Sequence, residues 1–505
     1  MPSVVTIKYS NTVSPANPDT EGVLIIGKHN DLIKLRDNVS VISAKFGKVI
    51  DEKTFVKGFD QLSTTSSDSV ELYFKNFTIA SMPSTSSRHN APMLPHTLST
   101  LVKTYVPRTS NEHIVIVCER ESAFALGCAV PRVFPLYNTK TGSSDNDVTI
   151  TVEFVFIGAD KSPLQDDEID CLHAASQSVR LAAKIVDVPC NEMHTDAFLE
   201  EIRTVGKEVN IEPFIIQGEE LSKKGFGGIY GVGKAAIHLP ALAVLSYKPE
   251  GATKNIAWCG KGIVYDTGGL SIKDKNSMPG MKRDCGGAAA ILGAFRAAVK
   301  AGFKENLHAV FCLAENAVGP LATRPDDVHT LYSGLTVEIN NTDAEGRLVL
   351  GDGVAYAKKD LKADIIVDMA TLTGAQGIAT GAYHAAILTN NEDCETSCSK
   401  AGRISGDLVF PVPYTPELHF DEFTSCVADM KNSVKNRSNA QVSCAGLFIG
   451  AHIGFQFTGV WLHIDMAYPV EFKNERATGY GVALLLALFG KYTSNSMLKS
   501  IGTMQ

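Results

Sequence analysis

The sequence predicts an α/β protein of two α/β domains, the C-terminal one built on a mixed, mostly parallel central sheet flanked by helices. Three observations carry that prediction. The chain has 505 residues, more than one ordinary domain of roughly 100–200 residues would hold. From about residue 187 onward, near-continuous apolar runs at 241–245, 255–259, 307–312 and 365–367 recur between helical stretches, and such runs mark strands covered on both faces. The Ala-rich piece at 286–299 falls between two of them, the order expected of an α/β unit with a mostly parallel core.

Taken in order, the first domain (1–162) alternates apolar strands at 22–26, 113–117 and 152–157 with polar loops, of which 63–69 and 81–87 are rich in Ser and Thr. No Asp/Glu/His/Lys constellation stands out in it, so a supporting or assembly role is expected. Ser162-Pro163 then offers an N-cap and a first-turn proline, and Asp166, Asp167 and Glu168 suit the positive end of a helix dipole. Ile169, Leu172, Ser176, Val179, Ala183 and Val186 follow at three- and four-residue steps until Pro189 stops the run. A connecting helix over 163–188 is expected, its apolar stripe packed against a neighbour. The second domain then covers 189–505. The uncharged stretch at 477–490 falls short of the ~18 residues that a membrane span needs, so a buried helix near the end of the chain is expected, and no membrane partner.

Composition narrows the function classes. Hydrophobic residues at 44% and charged residues at 20% imply a packed core rather than disorder. A net charge of −8 argues against general nucleic-acid binding, which needs a basic footprint. The 11 cysteines are scattered without evident pairing, a pattern of reduced thiols in a cytoplasmic protein. The first residues, MPSVVTIKYSNT, hold no basic cluster followed by an apolar run, so no secretory leader is expected.

Four motifs are read as decoys. Gly228 to Ala235 nearly spells a phosphate-binding loop, but Ala235 lacks the hydroxyl that would hold Mg²⁺, leaving a glycine turn. Gly260-Lys261-Gly262 follows a strand like a dinucleotide fingerprint, yet Tyr265 occupies the third glycine position. Cys394 and Cys398 lie one helical turn apart without partners for a zinc site, so they read as ordinary thiols. His463, in an alternating strand, reads as a hydrogen-bonded core histidine.

Two segments carry chemistry. The first runs from Gly260 through Lys261, Asp266 and Lys273 to Asp284, and the second is Asn341-Thr342-Asp343-Ala344-Glu345-Gly346-Arg347-Leu348. Lys261 falls just past the 255–259 strand, at the carboxyl edge where open α/β sheets build their sites. If the second segment is extended, Asp343, Glu345 and Arg347 face one way, and Asp266 and Asp284 can join them across the fold. Four carboxylates in one place repel unless cations neutralise them. Two divalent ions about 3.5–4 Å apart would do so and leave room for a substrate.

The NTDAEGRL stretch at 341–348, the Lys261/Asp266/Lys273/Asp284 pattern, and the stretches 370–375 and 461–467 resemble the leucine aminopeptidase (cytosol aminopeptidase) family of dimetal exopeptidases. The stretches 374–381, 428–433 and 475–479 are similar to its animal probable-aminopeptidase-like branch. The resemblance implies an enzyme that releases N-terminal amino acids from short peptides or amino-acid amides through a water activated by two divalent ions, zinc or manganese. It implies metal ligation by Lys261, Asp266, Asp284, Asp343 and Glu345, with Asp266 and Glu345 bridging. It implies that Lys273 polarises the scissile carbonyl and that Arg347 holds a bicarbonate acting as general base. Met281, Thr371, Leu372 and Ala467 would line the pocket for the first residue. It further implies a hexamer of two stacked trimers.

One departure bears on specificity. Where family members read Asp-Ile-Ala-Gly, this chain has Asp465-Met466-Ala467-Tyr468-Pro469, so a preference for leucine does not follow from the resemblance. The alternative reading is a catalytically quiet scaffold that keeps the fold. Loss of one ligand would favour it, but all five are present.

Overall fold

Six strands make the first sheet: β1 (Val5–Ser10), β2 (Gly22–Lys28), β3 (Asp68–Tyr73), β4 (Phe77–Met82), β5 (Glu112–Cys118) and β6 (Val148–Phe156). This computed structural model describes residues 5–74, 76–107, 110–141, 147–472 and 476–504. Residues 1–4, included in the first domain and in the leader reading above, residue 475 of the stretch 475–479, and residue 505 lie outside them. The strand order is β1-β6-β5-β2-β4-β3, parallel throughout except for the antiparallel pair β3 and β4. Strands β4 and β5 are buried along their whole length, as their unbroken apolar runs require. The expected loop at 81–87 is shorter than its Ser/Thr content suggests, because Ser81 and Met82 still belong to β4.

The first domain also holds a polar constellation that the sequence did not disclose. The Lys45 ammonium is fully buried, 2.6 Å from Glu153 Oε2 and 2.8 Å from His113 Nδ1. The backbone N–H and hydroxyl of Ser14 both donate to Glu153 Oε1. These residues are far apart in sequence, so no spacing signals them. Their mutual pairing satisfies charges that would otherwise be costly to bury.

The connecting helix runs Asp166–Asp187 and begins later than Ser162 predicts. Asp160 captures both the backbone N–H and the hydroxyl of Ser162, so Gln165 becomes the N-cap, in a capping box with Glu168. The helix does pack: Leu172, Val179 and Val186 are buried in a core that runs on through Ile291 and Phe295 of helix Gly286–Lys300.

Among the described residues thirteen further strands follow: β7 (Phe214–Gln217), β8 (Ala241–Tyr247), β9 (Asn255–Asp266), β10 (Asn306–Asn316), β11 (Val328–Thr330), β12 (Thr336–Glu338), β13 (Ile365–Ala370), β14 (Ala385–Thr389), β15 (Val409–Pro411), β16 (Met430–Lys431), β17 (Val460–Asp465), β18 (Glu471–Phe472) and β19 (Arg476–Ala477). Eight of them form the larger sheet in the order β15-β14-β17-β13-β9-β10-β8-β7. Strand β9 pairs in parallel with β10 and β13, and β13 with β17. The sheet is therefore mixed and mostly parallel at its centre, with antiparallel strands β8 and β7 at one side. Along β9, Ile256 and Trp258 enter one hydrophobic core while Ala257 and Cys259 enter the other. That alternation is the physical meaning of its unbroken apolar run.

Strand β9 extends well past Cys259, so Lys261 lies inside it rather than beyond its end. Gly260 is there for packing, not for a turn. A Cβ on it would come within 2.5 Å of Ala288 Cα, so its bareness lets helix Gly286–Lys300 lie directly on the strand. Residues 228–235 form most of a short helix, Gly227–Gly233, instead of a glycine turn. Cys394 and Cys398 are buried in helix Glu392–Ser405. The 477–490 stretch yields the buried helix Val482–Leu488, with two further short helical segments after it. Among the described residues no helix is long and apolar enough to cross a membrane.

Candidate active site

The site is assembled at the carboxyl end of β9 from three stretches of chain. Lys261 and Asp266 belong to β9 itself, and Asp284 sits in the single 3₁₀ turn Met281–Cys285 that leads into helix Gly286–Lys300. Asp343 lies in a turn, and Glu345 is the N-cap residue of helix Gly346–Lys359. The stretch 343–347 is therefore not extended as expected. Arg347 is already in the first helical turn, because Gly346 must pass close to the lysine. A Cβ at Gly346 would lie 2.5 Å from Lys261 Cε.

The turn still brings the expected groups together. Carboxylate oxygens of Asp266, Asp343 and Glu345 lie within 4.8 Å of one another. Lys261 Nζ is 2.8 Å from Asp284 Oδ1, 2.9 Å from Glu345 Oε1 and 3.0 Å from the Thr371 carbonyl oxygen. Lys273 Nζ is 2.8 Å from Asp266 Oδ2 and 2.5 Å from Asp343 Oδ1. Lys261, Asp266, Asp284, Glu345 and Arg347 are all buried.

Burial strains this arrangement electrostatically. It pushes Asp284 well above the usual carboxylate range, although Lys261 pulls the other way. Burial and then the charge of Glu345 raise Asp266, against Lys273 and Lys261. Asp343 is raised by burial and by Asp266. Burial opposes the Lys261 ammonium, yet Asp284, Glu345 and Asp266 hold its pKa above that of an ordinary lysine. Burial lowers Arg347 to about 10. Four acids and two lysines leave the cluster short of positive charge. Asp284 Oδ2 is buried with no hydrogen-bond partner among the described residues. Such a donor set, oxygen-rich with an amine at hand and an orphaned carboxylate oxygen, fits divalent cations.

A cavity of about 390 Å³ opens over the cluster. Met281, Thr371, Leu372 and Ala467 all line it, together with Tyr468 and Arg437 among others. The ring of Tyr468 lies against Gly377, where a Cβ would come within 2.3 Å of it. The chain's departure from the family pattern therefore stands in the cavity wall itself.

Sequence reasoning missed the residues that hold these groups in place. Asn316 Nδ2 and the Gly268 N–H both donate to Asp266 Oδ1. The Thr371 hydroxyl donates to Asp284 Oδ1. Asn432 accepts from the Asn340 N–H, donates to the carbonyls of Asn341 and Ala344, and offers its own carbonyl to Arg347. Asp465 Oδ1 accepts from the N–H groups of Leu372, Thr373 and Ala467, and Oδ2 accepts from the Thr373 hydroxyl. His463, as expected, is a core residue, 2.5 Å from Asp368 Oδ1.

Comparison with known proteins agrees with this geometry. Residues 180–486 match the catalytic domain of the cytosol aminopeptidase family, and residues 21–143 match an N-terminal domain of M17 aminopeptidases. The chain belongs to the cytosol aminopeptidase family. It is 58% identical over 499 residues to the probable aminopeptidase NPEPL1 of Homo sapiens, covering 98% of this chain and 95% of the human one. It is 47% identical to leucine aminopeptidase 1 of Caenorhabditis elegans over 85% of this chain and 86% of the worm protein. The solved structure of a C. elegans leucine aminopeptidase superposes with a TM-score of 0.90 at 42% identity, covering 98% of this chain and all of that one. The Trypanosoma brucei leucyl aminopeptidase in complex with bestatin gives a TM-score of 0.84 at 35% identity, covering 96% and 95%. This chain is thus an M17 aminopeptidase, a metallopeptidase of a family that works with two metal ions.

In this aminopeptidase Asp465 is a positioning residue, since it touches the loop 371–373 and Ala467 rather than the carboxylate cluster. Asp465→Asn replaces an acceptor oxygen with a donor and loosens that wall. A displacement of ~1 Å can cost as much as ~10²-fold in rate, so kcat/KM should fall toward that extent while metal content stays constant. Wild-type kinetics in the variant would remove Asp465 from this role.

Proposed function

We propose that this aminopeptidase releases N-terminal amino acids from short peptides, with Lys261, Asp266, Asp284, Asp343 and Glu345 holding two divalent ions, zinc or manganese. The observation that supports it best is the pairing of four carboxylates, three of them buried and Asp343 partly so, with only two lysines, one carboxylate oxygen left without a partner. Asp266 and Glu345 would each contact both ions, Lys261 and Asp284 would complete one site, and Asp343 the other. Bound there, the ions would supply Lewis-acid polarisation of the scissile carbonyl and a water of lowered pKa.

The chain's own residues would do the rest. Lys261 would ligate as the neutral amine, its positive charge no longer needed by Asp284 and Glu345. Lys273 Nζ, no longer tied to Asp266 and Asp343, would stay cationic and donate to the carbonyl oxygen of the substrate. Arg347 would orient a small planar anion such as bicarbonate as the general base. Its Nε is buried and without a hydrogen-bond partner among the described residues, while one terminal nitrogen is held by Asn432. Met281, Thr371, Leu372 and Ala467 would contact the first residue of the peptide. A quiet scaffold would need none of these groups to converge on one cavity.

We take residues 1–162 as a supporting domain, 163–188 as the connecting helix and 189–505 as the catalytic domain. The two separate sheets and the helix between them support that division. A cytoplasmic setting is supported by the eleven free cysteines, of which all but Cys190 and Cys426 are buried.

Asp266→Ala or Glu345→Ala should abolish metal-dependent hydrolysis of leucine and methionine amides while the chain stays folded. Metal analysis of the purified variants decides the assignment, and an ion content undiminished from that of wild type would sink it. Lys273→Ala should lose ~10²–10³ in kcat, the usual scale for a group acting on developing oxyanion charge, with its metal content intact. If metal disappears in parallel with activity, Lys273 is the ligand and the roles of the two lysines are exchanged.

We further propose a hexamer of two stacked trimers whose active sites face an inner solvent chamber. Ile237, Ile378, Leu418 and Val427 are large apolar side chains left exposed on the single chain, which subunit contacts would cover. Light scattering should give about six times 54.2 kDa. A fully active species at the mass of one chain would refute the assembly.

A further inference from the structure

We infer that His194, Asp196 and His238 form a further metal site, distinct from the carboxylate centre, that takes one divalent cation of the zinc class. One ligand atom from each of the three lies within 4.8 Å of the other two. Two imidazoles and a carboxylate are a donor set for zinc and its borderline neighbours rather than for calcium or magnesium. Three protein ligands would leave the remaining position to water.

The fold brings these residues together from two separate segments. His194 is the residue before helix Thr195–Glu208, and Asp196 is in that helix's first turn. His238 lies in the loop that follows helix Gly227–Gly233 and precedes β8. The rings of His194 and His238 are stacked face to face, with centroids 3.5 Å apart and planes 5° from parallel. His238 Nδ1 is 2.7 Å from Asp196 Oδ2. Neutral imidazole is the ligating form, and two rings this close would repel one another if both were charged. A cation drawn to Asp196 would tilt the rings apart until both lone pairs met it.

A supporting layer is already present, as metal sites require. Gln217 Nε2 donates to Asp196 Oδ1 at 2.8 Å and reaches the Leu239 carbonyl at 3.3 Å. It therefore ties the carboxylate to the loop that carries His238. The long 3.4 Å contact from the Ala197 N–H to His194 Nδ1 holds that ring only weakly, leaving it free to turn. Burial raises the carboxyl of Glu315 above its ordinary value, with His238 pulling the other way. Glu315 precedes Asn316, which holds Asp266. A cation here would clip the start of the catalytic domain to the loop before β8, beside the strand end that supports the active centre.

The test is zinc titration of the full-length enzyme against a chromophoric chelator, with His238→Ala and Asp196→Asn alongside. Wild type should bind one more zinc per chain than either variant, and metal-saturated hydrolysis should stay within two-fold in all three. His194 is left intact because it also caps its helix. Repeating the comparison in a Glu345→Ala background separates this site from the active centre: the same single equivalent should again be lost with His238→Ala. Equal zinc uptake by wild type and both variants overturns the site. So does a difference that vanishes in the Glu345→Ala background, since the ion would then belong to the carboxylate centre.

Discussion

Four carboxylates, three of them buried, gathered around two lysines at the carboxyl end of β9 are the constraint on which the rest of the structure turns. Buried charge is costly unless it is paired and hydrogen-bonded. Here the acids outnumber the lysines, and two of the four carboxylates are also held by neutral donors. Asp266 leans on Asn316 and the Gly268 N–H, and Asp284 on the hydroxyl of Thr371. Those donors sit on β10, on the loop after β9 and on the loop after β13. Three neighbouring segments of the large sheet are thereby committed to one point.

The sheet supplies the rigidity that this convergence needs. Strands β9, β10 and β13 are apolar on both faces because helices cover both, which fixes where each strand ends. Asp266 is the last residue of β9 and stands opposite Asn316, the last residue of β10, across an irregular register. The donor and its carboxylate are thus placed by strand pairing rather than by a mobile loop. Asn432 does the same for the other half of the site, cross-tying the turn at 340–344 to Arg347. Functional groups carried on rigid elements with such support are held more closely than groups on loops alone.

The sequence disclosed the large sheet and its site chemistry because both are written locally. Apolar runs mark strands, and the 341–348 stretch and the lysine and aspartate spacing of 261–284 each fall within a short window. Its account of how the groups converge was partly wrong. It read Gly260-Lys261-Gly262 as the edge of a strand, whereas those glycines make room for a helix inside it. It read 343–347 as extended, whereas Gly346 begins a helix against Lys261. Asn316, Asn432 and Asp465 were illegible for a different reason. Apart from the Ala467 N–H beside Asp465, each acts through partners at least 26 residues away, and nothing in a single sequence ties a lone Asn to a carboxylate on another strand. The Lys45, His113 and Glu153 cluster of the first domain escaped notice on the same grounds.

Lys261 and Lys273 show how one side chain can be given two fates by its surroundings. The Lys261 side chain is 3% exposed, enclosed by Asp284, Glu345 and the carbonyl of Thr371, whereas that of Lys273 is 15% exposed beside Asp266 and Asp343. In both, burial disfavours the ammonium and neighbouring carboxylates sustain it. Cations that neutralise those carboxylates would remove the sustaining charge from both lysines but leave the burial. Lys261 is the more enclosed of the two, so the neutral amine would become its better state, as the proposed ligand role requires. Lys273 keeps contact with the cavity, where solvent or a substrate carbonyl can take its proton-rich head. The division of labour between ligand and electrophile would then follow from a difference in enclosure, not from a difference in residue type.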